Sequence, residues 1–148
     1  MKGSGGVTLI EMMIAAAIIA ILALIAVPSY QAYIVRANEG VAKAFLAELA
    51  SRQQAFYNDR RSFADDLADL GYATETVGLR GDGQIAADGD PLIYTVSVEE
   101  DSVTARAYVV IAVPQATQAA RSQCGTLRWT AQGTRSASGP KGDACWQR

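Results

Sequence analysis

Every residue from Met12 to Val27 is apolar, and no charged side chain stands between Glu11 and Arg36. A helix rises about 1.5 Å per residue and a bilayer core is about 30 Å thick, so Val7 to Val27 is long enough to span it. Past Pro28 the continuous apolarity gives way to a stripe. Ile34, Val41, Phe45, Leu49 and Phe56 fall on one helical face, while Arg36, Glu39, Lys43, Glu48 and Arg52 take the others. Such a stripe predicts packing against a sheet. Together the two stretches predict a helix from Val7 to about Tyr57, near 75 Å in length. Pro28 removes a backbone bond inside it and should kink it, and Gly40 is a second weak point.

After Tyr57 the periodicity breaks. Ser62 to Leu67 reads as a short helical turn with Ser62 as its cap, Asp65 and Asp66 in the first turn and Gly71 closing it. Val77 to Asp90, rich in glycine and aspartate, reads as loop. Leu92 to Val98 and Val103 to Val113 are β-branched and aromatic, joined by the polar Glu99 to Ser102, and predict an antiparallel hairpin. Cys124 to Thr130 reads as a third strand, and Gln132-Gly133 turns it toward a short return. The expected class is α+β: a long membrane-spanning helix that continues into a globular head and packs there on a three- or four-stranded antiparallel sheet.

Composition narrows the chemistry. The 148 residues carry 13 Lys and Arg against 15 Asp and Glu, a net charge of −2, so no global basic field draws nucleic acid. Histidine is absent, which removes the commonest general base and metal ligand, and most hydrolase triads with them. With no convincing acid–base pair either, the chain reads as no enzyme and implies no cofactor. Asp82, Asp88 and Asp90 invite a metal reading, and Arg80-Gly81-Asp82 spells an adhesion tripeptide. Short matches of this kind are usually accidental, and a solvated turn explains both.

A cleaved signal peptide would carry positive charge first and a small-residue cleavage site after its apolar core. Here only Lys2 precedes the run, and Pro28-Ser29-Tyr30 follows it, so a retained membrane helix is the better reading. Glu11 is then the costly residue. A carboxylate at the centre of a membrane helix costs about 3 kcal/mol on insertion scales, and less near the interface. It can snorkel to the headgroups or complement the helix dipole. Alternatively it meets a cation from another copy of the chain, such as the α-amino group of a newly cut N terminus.

Gly6-Val7-Thr8-Leu9-Ile10-Glu11, with the apolar run that ends at Pro28 and the tyrosines Tyr30 and Tyr33 beyond it, resembles the N terminus of type IV pilins. The resemblance implies a leader, residues 1–6, cut by a prepilin peptidase between Gly6 and Val7, with methylation of the new Val7 amino terminus. It implies that Glu11 pairs with the N terminus of a neighbouring subunit. Residues 7–33 would then be the transmembrane and filament-core half of the helix, and residues 34–148 the globular head. Two departures stand out: the family usually has phenylalanine where this chain has Val7, and a more basic leader than Lys2 alone. The implied partners are other pilin subunits, the peptidase and an inner-membrane assembly platform. The implied locations are a single-pass inner-membrane state with the head in the periplasm, then an extracellular pilus serving motility, adhesion or DNA uptake.

Two cysteines, Cys124 and Cys145, lie late in the chain. In an exported domain they read as a disulfide; closing the loop of about 22 residues would stabilise the head by roughly 3 kcal/mol. Two free reactive thiols would need a cationic setting that nothing in the sequence establishes. The resemblance implies the same bridge, and the Cys-Gly-Thr-Leu stretch with the late Cys145-Trp146 is most similar to PilE-like minor pilins. Arg121, Arg128, Arg135, Lys141 and Arg148 interleave with Trp129 and Trp146, a combination able to hold DNA through phosphates and stacked bases. A solvated face with two core tryptophans is the favoured reading. The remaining alternatives are a DNA-binding receptor pilin and a type II secretion pseudopilin, against which the disulfide loop argues.

Overall fold

A computed structural model describes residues 8–147. Gly6 and Val7, the expected cleavage and methylation positions, and Arg148 lie outside the described residues. The chain divides into two units between Ile34 and Val35. Helix α1, Leu9–Arg60, contains all of the first unit's described secondary structure and continues unbroken through Pro28. Its C-terminal end is Arg60 because Arg61 adopts a left-handed φ of 60° and donates its N–H to the Tyr57 carbonyl at 2.9 Å, a helix stop made without glycine.

The second unit holds the core. Strands β1 (Thr76–Leu79), β2 (Tyr94–Val98), β3 (Val109–Pro114), β4 (Leu127–Thr130) and β5 (Arg135–Ala137) pair in sequence order, antiparallel throughout. A short helix α2, Ala116–Arg121, follows β3, and a 3-10 turn, Gly142–Trp146, follows β5. Alternation places Val77, Leu79, Tyr94, Val96, Val98, Val110, Ala112 and Leu127 on one buried face. They form a single apolar cluster with Ala42, Phe45, Leu46 and Leu49 of α1 and with Leu67 and Leu70. Burying each such leucine contributes about 1.5–3 kcal/mol.

The class is α+β as expected, and the sheet has five strands rather than three or four. Val77 to Leu79 lies in β1, not in a loop, and the return after Gly133 is the paired strand β5. Val103 to Tyr108 is irregular, and the strand begins only at Val109. Ser62 caps no helix: residues 61–71 form only bends and turns around an irregular Phe63-Ala64, and within them Asp66 Oδ1 accepts the Asp69 N–H at 3.0 Å. On α1 the buried stripe is centred on Ala42, Leu46, Leu49 and Gln53, while Ile34 stays 39% exposed. Glu39, assigned by pattern to an outer face, is only 7% exposed.

Candidate functional site

The start of α1 is built by its own residues. Thr8 precedes the first helical turn, and its Oγ1 accepts the Glu11 N–H at 3.3 Å. The Thr-x-x-Glu spacing is that of a capping box, with Glu11 at the third helical position. A carboxylate in the first turn complements the helix dipole by about 0.3–1 kcal/mol. All side chains from Leu9 to Val27 are exposed among the described residues, an apolar surface left open to a partner.

A second cluster joins the head's share of α1 to α2 and β2. Gln118, 4% exposed, donates from Nε2 to the Val35 carbonyl at 3.1 Å and to the Tyr94 hydroxyl at 3.3 Å, and accepts from Asn38 Nδ2 at 3.0 Å. The Ser122 hydroxyl donates to Glu39 at 2.7 Å and accepts the Cys124 N–H at 3.1 Å. Burial raises the Tyr94 phenol above its ordinary pKa. Apart from the local Ser122–Cys124 bond, these partners are 24 to 83 residues apart in the chain, so no local signal announces them.

Cys124 and Cys145 are joined in a disulfide, with Cα atoms 5.8 Å apart. Around it the aromatic residues are half-buried at the sheet's end rather than in the core. Trp146 donates Nε1–H to the Ser136 carbonyl at 2.9 Å and meets Trp129 edge-on at 5.8 Å. Arg135, directly across from Trp129 in the β4–β5 register, lies 4.1 Å from that ring's centroid and 6.0 Å from that of Trp146. Lys43 of α1 donates to the Cys145 carbonyl and sits 5.8 Å over Trp146, a reach across 102 residues that no local pattern announces.

The basic residues do not share one surface. Arg128 pairs with Ser136 in register, so its side chain leaves the sheet on the face opposite Arg135, where Glu99 engages it in an ion pair. Arg121 ends α2, exposed, and Lys141 is exposed with its N–H bonded to the Gln123 carbonyl at 3.1 Å. Arg80 is also occupied: its guanidinium lies 3.2 Å from Asp82 and 3.2 Å from Asp90. That tie uses the ends of the adhesion-like tripeptide internally. Among the described residues no three acidic or cysteine side chains gather as a metal site.

The chain also resembles known proteins in sequence. The family described as "Type IV minor pilin ComP, DNA uptake sequence receptor" matches residues 28–128, and the "Prokaryotic N-terminal methylation motif" matches residues 1–27. The chain is 38% identical over 85 residues to the type IV major pilin protein PilA of Myxococcus xanthus, covering 57% of this chain and 39% of that protein. It is 39% identical over 70 residues to the type IV wide pilus major component PilA4 of Thermus thermophilus, covering 47% and 53%. Thus the matches span about two fifths to half the length of these relatives. A solved type IV pilin from Shewanella oneidensis aligns with a TM-score of 0.39 and 17% identity over 67% of this chain and 89% of that one. By the family match over most of its length, the chain belongs to the type IV pilin family, with a head of the ComP minor pilin type.

Proposed function

We propose that the chain serves as a subunit of a type IV pilus, as a minor pilin of the ComP and PilE-like kind. The observation that carries this is the apolar half of α1, wholly unburied by its own fold and headed by the capped, acidic turn at Thr8 to Glu11. Before assembly the bilayer covers that surface; in the filament, neighbouring helices do. Residues 1–6 act as the leader, cut between Gly6 and Val7 by a prepilin peptidase, and the Val7 amino group is methylated. Residues 7–33 enter the filament core, while residues 34–148 form a head exported to the periplasm and then carried outside by the assembly platform. Glu11 takes the α-amino group of a neighbouring Val7 as its partner, which relieves two charges inside an apolar shaft. Pro28 supplies the point where the helix bends.

Intact mass of the chain from sheared filaments and from membranes tests the reading. Loss of residues 1–6, a methyl at Val7 and the absence of two hydrogens at the cysteines, in a chain found in the filaments, is the expected result. A full-length, reduced chain confined to membranes would overturn it.

Arg135, stacked on Trp129 beside Trp146, favours a second role: capture of DNA by the head, in keeping with the description of the matched family. Arg135 and Lys141 are the better candidates for phosphate contact, since Arg128 is already held by Glu99. Binding would weaken with salt, and Arg135→Ala would lower the slope against log salt by about one. Binding that is indifferent to salt would rule this role out.

A further inference from the structure

Beyond Pro28, helix α1 carries two large amphipathic side chains that lie exposed among the described residues. Tyr30 is 67% exposed and Tyr33 62%. Three residues apart on a helix, they share one face, next to Ile34. At about 1.5 Å per residue, Tyr30 lies about 28 Å along the helix from Glu11 and Tyr33 about 33 Å. A bilayer's hydrocarbon core is about 30 Å thick. When the Glu11 carboxylate stands at one boundary of that core, the two phenol rings therefore stand at the other. Arg36, the first charge on that side, follows within one turn of Tyr33. A phenol suits such a boundary: its ring is apolar, while its hydroxyl bonds water, ester or phosphate oxygens.

We propose that Tyr30 and Tyr33 form an aromatic collar that seats in the phospholipid headgroup layer on the head side of the membrane and fixes the depth of α1, with Glu11 held at the opposite headgroup layer. The inference rests on reading the chain as stored in a bilayer before assembly. The collar has a consequence for Glu11. Sliding toward the head side would drag the carboxylate into hydrocarbon, where a charge is most costly; sliding the other way would pull both phenols into the acyl chains. Between these limits the helix has one preferred depth, with Glu11 within reach of an arriving amino terminus.

The test places one new tryptophan at a time in the full chain: Ile21→Trp as a mid-span probe, and Tyr30→Trp and Tyr33→Trp at the collar. Each variant is reconstituted at low protein-to-lipid ratio in phosphatidylcholine vesicles whose lipids carry bromine either near the headgroup or near the chain end. The unsubstituted chain gives the background of Trp129 and Trp146. The expected result is that deep bromine quenches the Ile21→Trp signal about threefold more than shallow bromine, with the order reversed at positions 30 and 33. A second variant, Tyr30→Leu with Tyr33→Leu in the Ile21→Trp chain, should shift the mid-span probe toward shallow quenching as the apolar stretch lengthens. If Ile21→Trp is quenched by neither lipid, the bilayer reading itself fails. If Ile21→Trp is deep while positions 30 and 33 are also deep, or are shielded from both bromines by water, the head or a second copy, the anchor stands and the collar is wrong. A mid-span probe that does not move when both tyrosines become leucine would likewise overturn the depth-fixing role.

Discussion

Gln53 lies fully buried on the sheet-facing side of α1, where position alone would call for an aliphatic side chain. Its amide donates to the Ala64 carbonyl at 2.8 Å and accepts the Ala64 N–H at 2.9 Å, so it closes the turn that follows the helix. Gln53→Leu would keep the volume but leave a buried donor and acceptor unpaired, each worth about 1–3 kcal/mol. The expected loss is about 2–4 kcal/mol, read as a lower urea midpoint at unchanged slope; an unchanged midpoint would mean that water replaces the amide. Tyr94 and Tyr108 make a pH prediction. Burial raises both phenols above their ordinary value near 10. Their contribution is therefore complete below the unfolded pKa and is lost as pH rises through the folded one. Stability should hold across neutral pH and fall above about pH 10. Tyr94→Phe should flatten that alkaline decline while lowering neutral stability by about 1 kcal/mol through the lost Gln118 bond, which pH-dependent urea titration would register. Glu39 and Gln53 escaped the reading of the sequence for one reason: their partners, Ser122 and Ala64, are remote in the chain, and a polar residue on a helix is ordinarily assigned to water.

The elements that periodicity could reach were the long ones. Helix α1 and the β2–β3 pairing rest on extended apolar stretches, and both are legible in the sequence. Strands β1 and β5 were less so, because each is short and lies in a glycine-rich setting that resembles loop. β1 gains its partner from Tyr94 to Ser97, and β5 from Leu127 to Trp129, pairings that only the fold supplies. The sequence pattern ended α1 near Tyr57, a few residues short of Arg60, because its stop is Arg61 in the left-handed region, a residue type that does not announce a helix end. The closing loop shows what a glycine does require. A Cβ at Gly139 would stand 2.3 Å from the Gln123 carbonyl oxygen and 2.5 Å from the Cys124 carbonyl carbon. The Gly139 N–H meets the Cys124 carbonyl at 2.8 Å, so this bare backbone lets the loop lie against the start of its own disulfide. Gly139→Ala should cost about 1–3 kcal/mol, as overpacking does, comparable with the roughly 3 kcal/mol expected from losing the bridge. Faster amide exchange at Lys141 and Gly142, both bonded to this turn, is the accompanying signature; unchanged exchange would show that the loop yields without strain.

The two units of the chain meet their solvent in opposite ways. The head hides its apolar residues in one cluster, and its hydrogen bonds leave no buried side-chain polar atom unpaired among the described residues. Both ends of its sheet are protected from pairing with another chain: Gly78 of β1 accepts the Ala86 N–H at 2.8 Å, and Ser136 of β5 accepts the Trp146 indole. The residues before Val35 reverse this arrangement, presenting leucine, isoleucine, methionine and valine outward with no core of their own. An apolar surface of that extent drives association or insertion in water. A full chain is therefore expected to be insoluble without detergent or lipid, and that insolubility should reside in residues 1–34 alone. Removal of those residues should yield a head that stays monomeric in detergent-free buffer, while the full chain requires detergent, lipid or a filament. The cut leaves intact the Asn38–Gln118 and Glu39–Ser122 bonds, and the Val35 carbonyl that Gln118 holds, so the truncated head keeps its junction cluster. Sedimentation of both chains in the same buffer decides the matter. A truncated head that still self-associates would place the adhesive surface on the sheet or the disulfide loop, and assembly would then depend on head-to-head contacts as well as on the helix.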